Sequence, residues 1–230
     1  NLTKSIIKYG FNFYVSGILS FFQNEGIKSI SLLFLKSSGI AFLGQGQNIG
    51  QLLNKINQSV ETIIYPNISR AKSKIDSLKL TLKSYRLTLI LLTLSSITLY
   101  LLSDLIITTL YGENFINTSM VLKVILPGLV FYGSSSVLNS FFQGTGKANF
   151  IPKIIFFPIL IQLIIGYFLT KSYGLIGAAY SISIGFTLQS IFILFSFILI
   201  NKLSVKRLII KRKDFLDIYL YIYNYLINKR

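Results

Sequence analysis

Neither cysteine nor histidine occurs among the 230 residues. The first absence removes disulfides and thiolate chemistry. The second removes imidazole bases and, with the first, the usual soft-metal ligands. Charge is scarce as well: 13% of the residues are charged, where a soluble domain carries about a quarter. Only seven are acidic, and most of these fall at the edges of apolar runs. No nucleophile–base pair, carboxylate dyad or metal cluster can be drawn, so no enzyme, metal or cofactor is expected.

What is present is apolar. Hydrophobic residues make up 52% of the chain and the mean hydropathy is +0.64. Between Lys171 and Lys202 no residue is charged, and that run exceeds the roughly 20 residues that carry an α-helix across about 30 Å of hydrocarbon. Lys202, Lys206, Arg207, Lys211, Arg212 and Lys213 follow. A net charge of +16 would suit a nucleic-acid partner, but the basic residues lie between apolar runs and form no continuous patch on a polar domain. Retention of Lys and Arg on the cytoplasmic face explains them, and no nucleic-acid partner is expected.

Six apolar spans are expected, at about 9–35, 40–65, 87–107, 115–142, 154–170 and 175–200, giving an all-α polytopic membrane bundle over 1–213. With the amino end inside, Lys4 and Lys8, the group from Arg70 to Arg86, Lys147 and Lys153, and the closing cluster all fall on one side. Lys36, Lys123 and Lys171 fall on the other. This bias places both ends in the cytoplasm. The stretch from Ser69 to Arg86 reads either as a basic helix on the inner surface, with Ile75, Leu78 and Leu82 at helical spacing, or as a solvated connector. The tail 214–230, with Tyr219, Tyr221, Tyr223 and Tyr225, is expected at the interface, in the cytoplasm, or as the start of a further span. The opening Asn1-Leu2-Thr3-Lys4 carries no initiator Met, which suggests the later part of a longer protein.

The second span is the most polar. Gln47, Gln51, Asn54, Gln58 and Glu61 recur at spacings of four and three, one stripe on a helix, with Lys55 beside it. An ionised residue at mid-bilayer costs about 2.5–3.5 kcal/mol on insertion scales, so the stripe must face protein or water. Two readings follow: amides bonded across a helix interface at about 0.6 kcal/mol each, or the wall of a wet cavity. The ionisable Lys55 and Glu61 favour the cavity, because such residues line pathways. In the first span Glu25 and Lys28 are i,i+3 neighbours, either a self-neutralising pair or a cation beside a titratable carboxylate. Pro127-Gly128, Pro158 and Gly166 would kink helices or let neighbours approach. Gly144-Thr145-Gly146-Lys147 lacks the full phosphate-loop spacing and reads as a tight turn.

Several segments, in order, resemble the bacterial polysaccharide flippases of the multidrug/oligosaccharidyl-lipid/polysaccharide exporter superfamily. They are Tyr65-Pro66-Asn67-Ile68-Ser69, Leu110-Tyr111-Gly112-Glu113-Asn114-Phe115, Gln143-Gly144-Thr145-Gly146-Lys147 and Tyr173-Gly174-Leu175-Ile176-Gly177-Ala178-Ala179. The resemblance implies the carboxy-terminal lobe of a two-lobe carrier around a central cationic cavity, its partner being the missing amino-terminal lobe. It implies a substrate, a lipid-linked oligosaccharide on polyprenyl diphosphate, moved across the bacterial inner membrane with membrane lipid around it. Lys28 and Lys55 become candidates for the diphosphate, Gln47, Gln51, Asn54 and Gln58 for the sugars, and Glu25 and Glu61 for ion coupling. Gly39-Ile40 is followed by Ala41-Phe42, where the family usually carries a Tyr. The alternatives are a drug or cation exporter of the same superfamily, a membrane-embedded polymerase or ligase with a large outer loop, and a noncatalytic scaffold.

Overall fold

The computed structural model describes residues 2–211 and 214, and among these every regular element is helical. The helices are α1 (Leu2–Ser31), α2 (Ser37–Gly50), α3 (Leu53–Ser69), α4 (Lys74–Tyr111), α5 (Ile116–Gly144) and α6 (Phe150–Asn201). A 3-10 turn at Glu113–Phe115 leads into α5, and another at Val205–Arg207 follows α6. Three stretches, Lys74–Tyr111, Glu113–Gly144 and Phe150–Asn201, are long and apolar enough to cross a membrane. The chain is thus an all-α, multi-pass membrane protein. The tail expected at 214–230 lies, apart from Asp214, outside the described residues.

α5 is the axis of the bundle. Of its most apolar window 72% is buried, against 28% for α4 and 39% for α6. α2, α3, α4 and α6 all pack on it, and α1 packs on α6. Small residues set these approaches. A Cβ on Gly128 would lie 2.6 Å from the Ser183 carbonyl oxygen, so α5 and α6 meet nearly backbone to backbone there. Gly26 of α1 receives Leu163 of α6, and Gly166 of α6 receives Ile27 of α1. The core is Ile, Leu, Val and Phe, with Phe141, Phe142, Phe186 and Phe197 fully buried.

Two expectations change. The span expected at 40–65 is two helices, because the chain tightens at Gln51 and Leu52. There the Leu52 N–H bonds the Ile49 carbonyl, and the Asn54 N–H bonds that of Gln51. The basic stretch 69–86 is no separate surface helix: from Lys74 it is the first third of α4, which runs unbroken for 38 residues. At about 1.5 Å per residue α4 is about 57 Å long, well beyond the hydrocarbon thickness. Ser73 starts it by accepting from the Asp76 N–H at 3.1 Å, and no glycine or proline interrupts it. The fifth and sixth spans are the two arms of α6, bent at Gly174, whose φ of 58° and ψ of −134° suit glycine alone.

The carboxyl end of the lobe is tied back onto α4. Arg86 donates to Asp214 through Nε at 2.7 Å and Nη2 at 3.1 Å, and through Nη1 to the Arg207 carbonyl at 3.0 Å. The Lys211 N–H adds a bond to Asp214 at 2.7 Å. Burial raises the Asp214 carboxyl, but the Arg86 guanidinium and the Lys211 N–H more than offset it and hold its pKa below the usual carboxylate value.

Candidate functional site

The break at Gln51 and Leu52 divides the polar stripe. On α2, Gln47 is fully buried and donates to the Asn24 carbonyl of α1 at 2.8 Å. Gln51, half-buried, donates to Asn24 Oδ1 at 3.3 Å. Gly46 brings this segment tight against α5, since a Cβ there would lie 2.7 Å from Val121 Cγ1. The first part of the stripe therefore ties α2 to α1, and Asn24 supplies both acceptors.

On α3 the surroundings are different. Lys55 and Gln58 are exposed, and among the described residues their side chains make no hydrogen bond or ion pair. Asn54 is half-buried. Glu61 is half-buried and anchored: Ser136 of α5 donates its hydroxyl to the carboxylate, and Asn57 Nδ2 lies 3.3 Å from it. Asn57 Nδ2 also reaches Ser136 Oγ at 2.8 Å. This approach to α5 passes over Gly133, where a Cβ would sit 3.4 Å from Asn57 Oδ1.

Glu25 and Lys28 pair at 2.6 Å on α1. The side chains are 40% and 21% exposed respectively, so the pair sits partly open, with the carboxylate the wetter member. Beyond the stripe, Asp104 and Lys123 join α4 to α5 at 2.8 Å.

The structure thus separates the predicted residues rather than gathering them. Gln47 and Gln51 converge with Asn24; Glu61 converges with Asn57 and Ser136; Lys55 and Gln58 stand free on the same helix as Glu61, and Lys28 stands with Glu25. Asn24, Asn57 and Ser136 escape the sequence reading because each lies off the stripe. The one available signal is the triple Ser134-Ser135-Ser136 inside an apolar span. Chemically the arrangement offers an unpaired ammonium and amide at Lys55 and Gln58, an ion pair at Glu25 and Lys28, and a hydrogen-bonded carboxylate at Glu61; among the described residues no nucleophile stands beside a base.

Comparison with known proteins bears on the family and the fold. The family model for the lipid II flippase MurJ matches residues 9–223. A Shigella flexneri protein described as a candidate O-antigen transporter is 26% identical over 179 residues, covering 77% of this chain and 42% of that protein. The structure of a multidrug resistance MATE family transporter of the MOP superfamily, in its outward-facing conformation, superposes with a TM-score of 0.76 at 17% identity. It covers 94% of this chain and 50% of that one. At that identity the likeness speaks for the fold. The chain spans about half the length of both proteins, or less.

Proposed function

The chain belongs to the lipid II flippase MurJ family, and from that premise we propose that it is the carboxy-terminal lobe of a carrier for polyprenyl-diphosphate-linked oligosaccharide. The substrate passes from the inner to the outer leaflet of a bacterial inner membrane, for surface polysaccharide synthesis, and both ends of this segment are cytoplasmic. An amino-terminal lobe supplies the opposite wall, and the two rock about a shared site as alternating-access carriers do. No bond is made or broken. The observation that supports this reading best is the free Lys55–Gln58 face of α3: an unpaired cation and amide on a helix packed against the membrane-spanning α4 and α5 suit a polar, anionic partner.

In this mechanism the diphosphate meets Lys55, and the sugars meet Gln58, Asn54 and Gln51. Gln47 is held inside the lobe and contributes to shape alone. Lys28 joins when Glu25 lets it go: a proton or a cation on that carboxylate frees the ammonium for the substrate. Glu61, fixed by Ser136, is the second coupling candidate. The lipid tail stays in the bilayer throughout.

The test is surface-polysaccharide complementation by the full-length protein carrying Lys55→Ala or Lys28→Ala. Export should fall in both, most in Lys55→Ala, and wild-type export from both would sink the assignment. A drug or cation exporter is the competing reading, and the MATE likeness keeps it in the same fold. An exposed unpaired Lys55 repels a cationic substrate. Resistance to cationic drugs that tracks Lys55 while polysaccharide export does not would reverse the choice.

A further inference from the structure

At the end of the lobe opposite the Asp104–Lys123 pair, a hollow of about 380 Å³ opens between the ends of α3 and α5 and the start of α4. Its polar rim includes Lys72, Lys74 and Lys147, and its floor includes Ile68 and Phe141. It is separate from the stripe, and nothing in the proposed transport uses it. We propose that this hollow binds a phosphate group, and that the source is the headgroup of an anionic membrane phospholipid.

Three observations combine. The first is charge. The described lining residues contain three lysines and no carboxylate. Lys147 is half-buried and makes no side-chain hydrogen bond or ion pair among the described residues. An ammonium without a partner in the protein is open to an anion.

The second is the shape of the backbone. The chain turns sharply after α5, with Gly146 at φ 73° and the Lys147 N–H on the Phe142 carbonyl at 2.7 Å. Gly144 lets α3 come close, since a Cβ would lie 2.7 Å from Ile68 Cγ2. Across the hollow stands the start of α4. Ser73 caps the Asp76 N–H, while the helix geometry leaves the N–H groups of Lys74 and Ile75 without acceptors of their own, at the positive end of a 38-residue helix. The hydroxyls of Ser69, Ser77 and Thr145 donate to backbone carbonyls, so the lysines and these N–H groups are the donors. Asp76 is nearby, but its carboxylate is engaged with Ser73 Oγ at 2.7 Å.

The third is depth. α5 has 29 residues and is about 43 Å long, close to the roughly 40–45 Å of a bilayer with its headgroups. Its end at Gly144, the wall of the hollow, therefore falls at headgroup level. Ile68 and Phe141 behind the rim suit the glycerol and upper acyl carbons of a lipid better than they suit a free ion.

Native mass spectrometry of the full-length protein in detergent tests this, with phosphatidylglycerol as probe, phosphatidylcholine as the neutral-headgroup control and inorganic phosphate as competitor. A tight phosphatidylglycerol adduct is expected. It should weaken about a hundredfold in Lys72→Ala/Lys74→Ala/Lys147→Ala, return in the matching Lys→Arg variant, and survive millimolar phosphate. Displacement by phosphate, with no preference for phosphatidylglycerol over phosphatidylcholine, assigns the same site to the free ion. An unchanged affinity for both probes in the triple variant overturns the site. If the triple variant does not purify, Lys147→Gln alone, at an unchanged melting temperature, should show a smaller loss, and no loss in it overturns the site.

Discussion

The two parts of one polar stripe have opposite surroundings. Gln47 on α2 is fully buried and bonded to Asn24; Gln58 on α3, with the same side chain, is exposed and free. Spacing made them equivalent, and the neighbouring helix makes them different. α1 and α5 close over α2, whereas α3 packs on α4 and α5 and leaves Lys55 and Gln58 outside. An amide that spends its N–H inside the lobe holds the lobe together. An amide left without partners is available to something else.

The sharpest way to probe the buried extreme is its charged counterpart, Arg86–Asp214, with side chains only 12% and 4% exposed. Asp214→Ala should cost up to about 3 kcal/mol of local stability, seen as faster amide exchange over 207–211, with export unchanged. Acid should do the same. Because the folded pKa of Asp214 is depressed, its contribution is complete above the unfolded carboxylate value of about 4 and is lost as pH falls through the lower folded value. In the Asp214→Asn variant that acid step should vanish.

Gly46→Leu attacks the packing that keeps Gln47 dry. Its side chain would collide with Val121 and the Thr118 carbonyl, for a loss of about 1–3 kcal/mol readable in the melting temperature. On the open side the order reverses. Gln58→Leu should lower export severalfold at an unchanged melting temperature, while Gln47→Leu should shift the melting temperature and leave export alone. If the two variants behave alike, the division of the stripe is wrong. Asn24→Ala should be mildest, because Gln47 bonds the backbone of that residue; the Gln51 contact and a local bond to the Ser20 carbonyl are lost, and the interhelical one is worth about 0.6 kcal/mol.

Much of this was legible in the chain. Hydropathy marks the helical bundle, the alternating basic residues suggest an orientation, and the stripe announces itself by spacing. The break inside the stripe barely does, since Gln51 and Leu52 are neither glycine nor proline and a lone Gly50 before them is a weak signal. The continuity of α4 was legible but misleading: nothing between Lys74 and Tyr111 interrupts a helix, yet the change from basic to apolar at Arg86 reads as a boundary. Charge composition tells which part of a helix leaves the membrane, while the hydrogen-bond ladder runs on regardless. Asn57 and Ser136 were hidden for another reason. A single buried amide or hydroxyl has no periodicity, and only the fold shows that both reach Glu61.

That unbroken α4 has a mechanical consequence. A stiff rod of about 57 Å converts a tilt of about 10° into a displacement of about 10 Å between its ends. If the lobes rock, the motion at the site is magnified at the tip of this lever, at the membrane surface. A probe attached near Lys74, at the start of α4, would read the transport cycle without touching the substrate path.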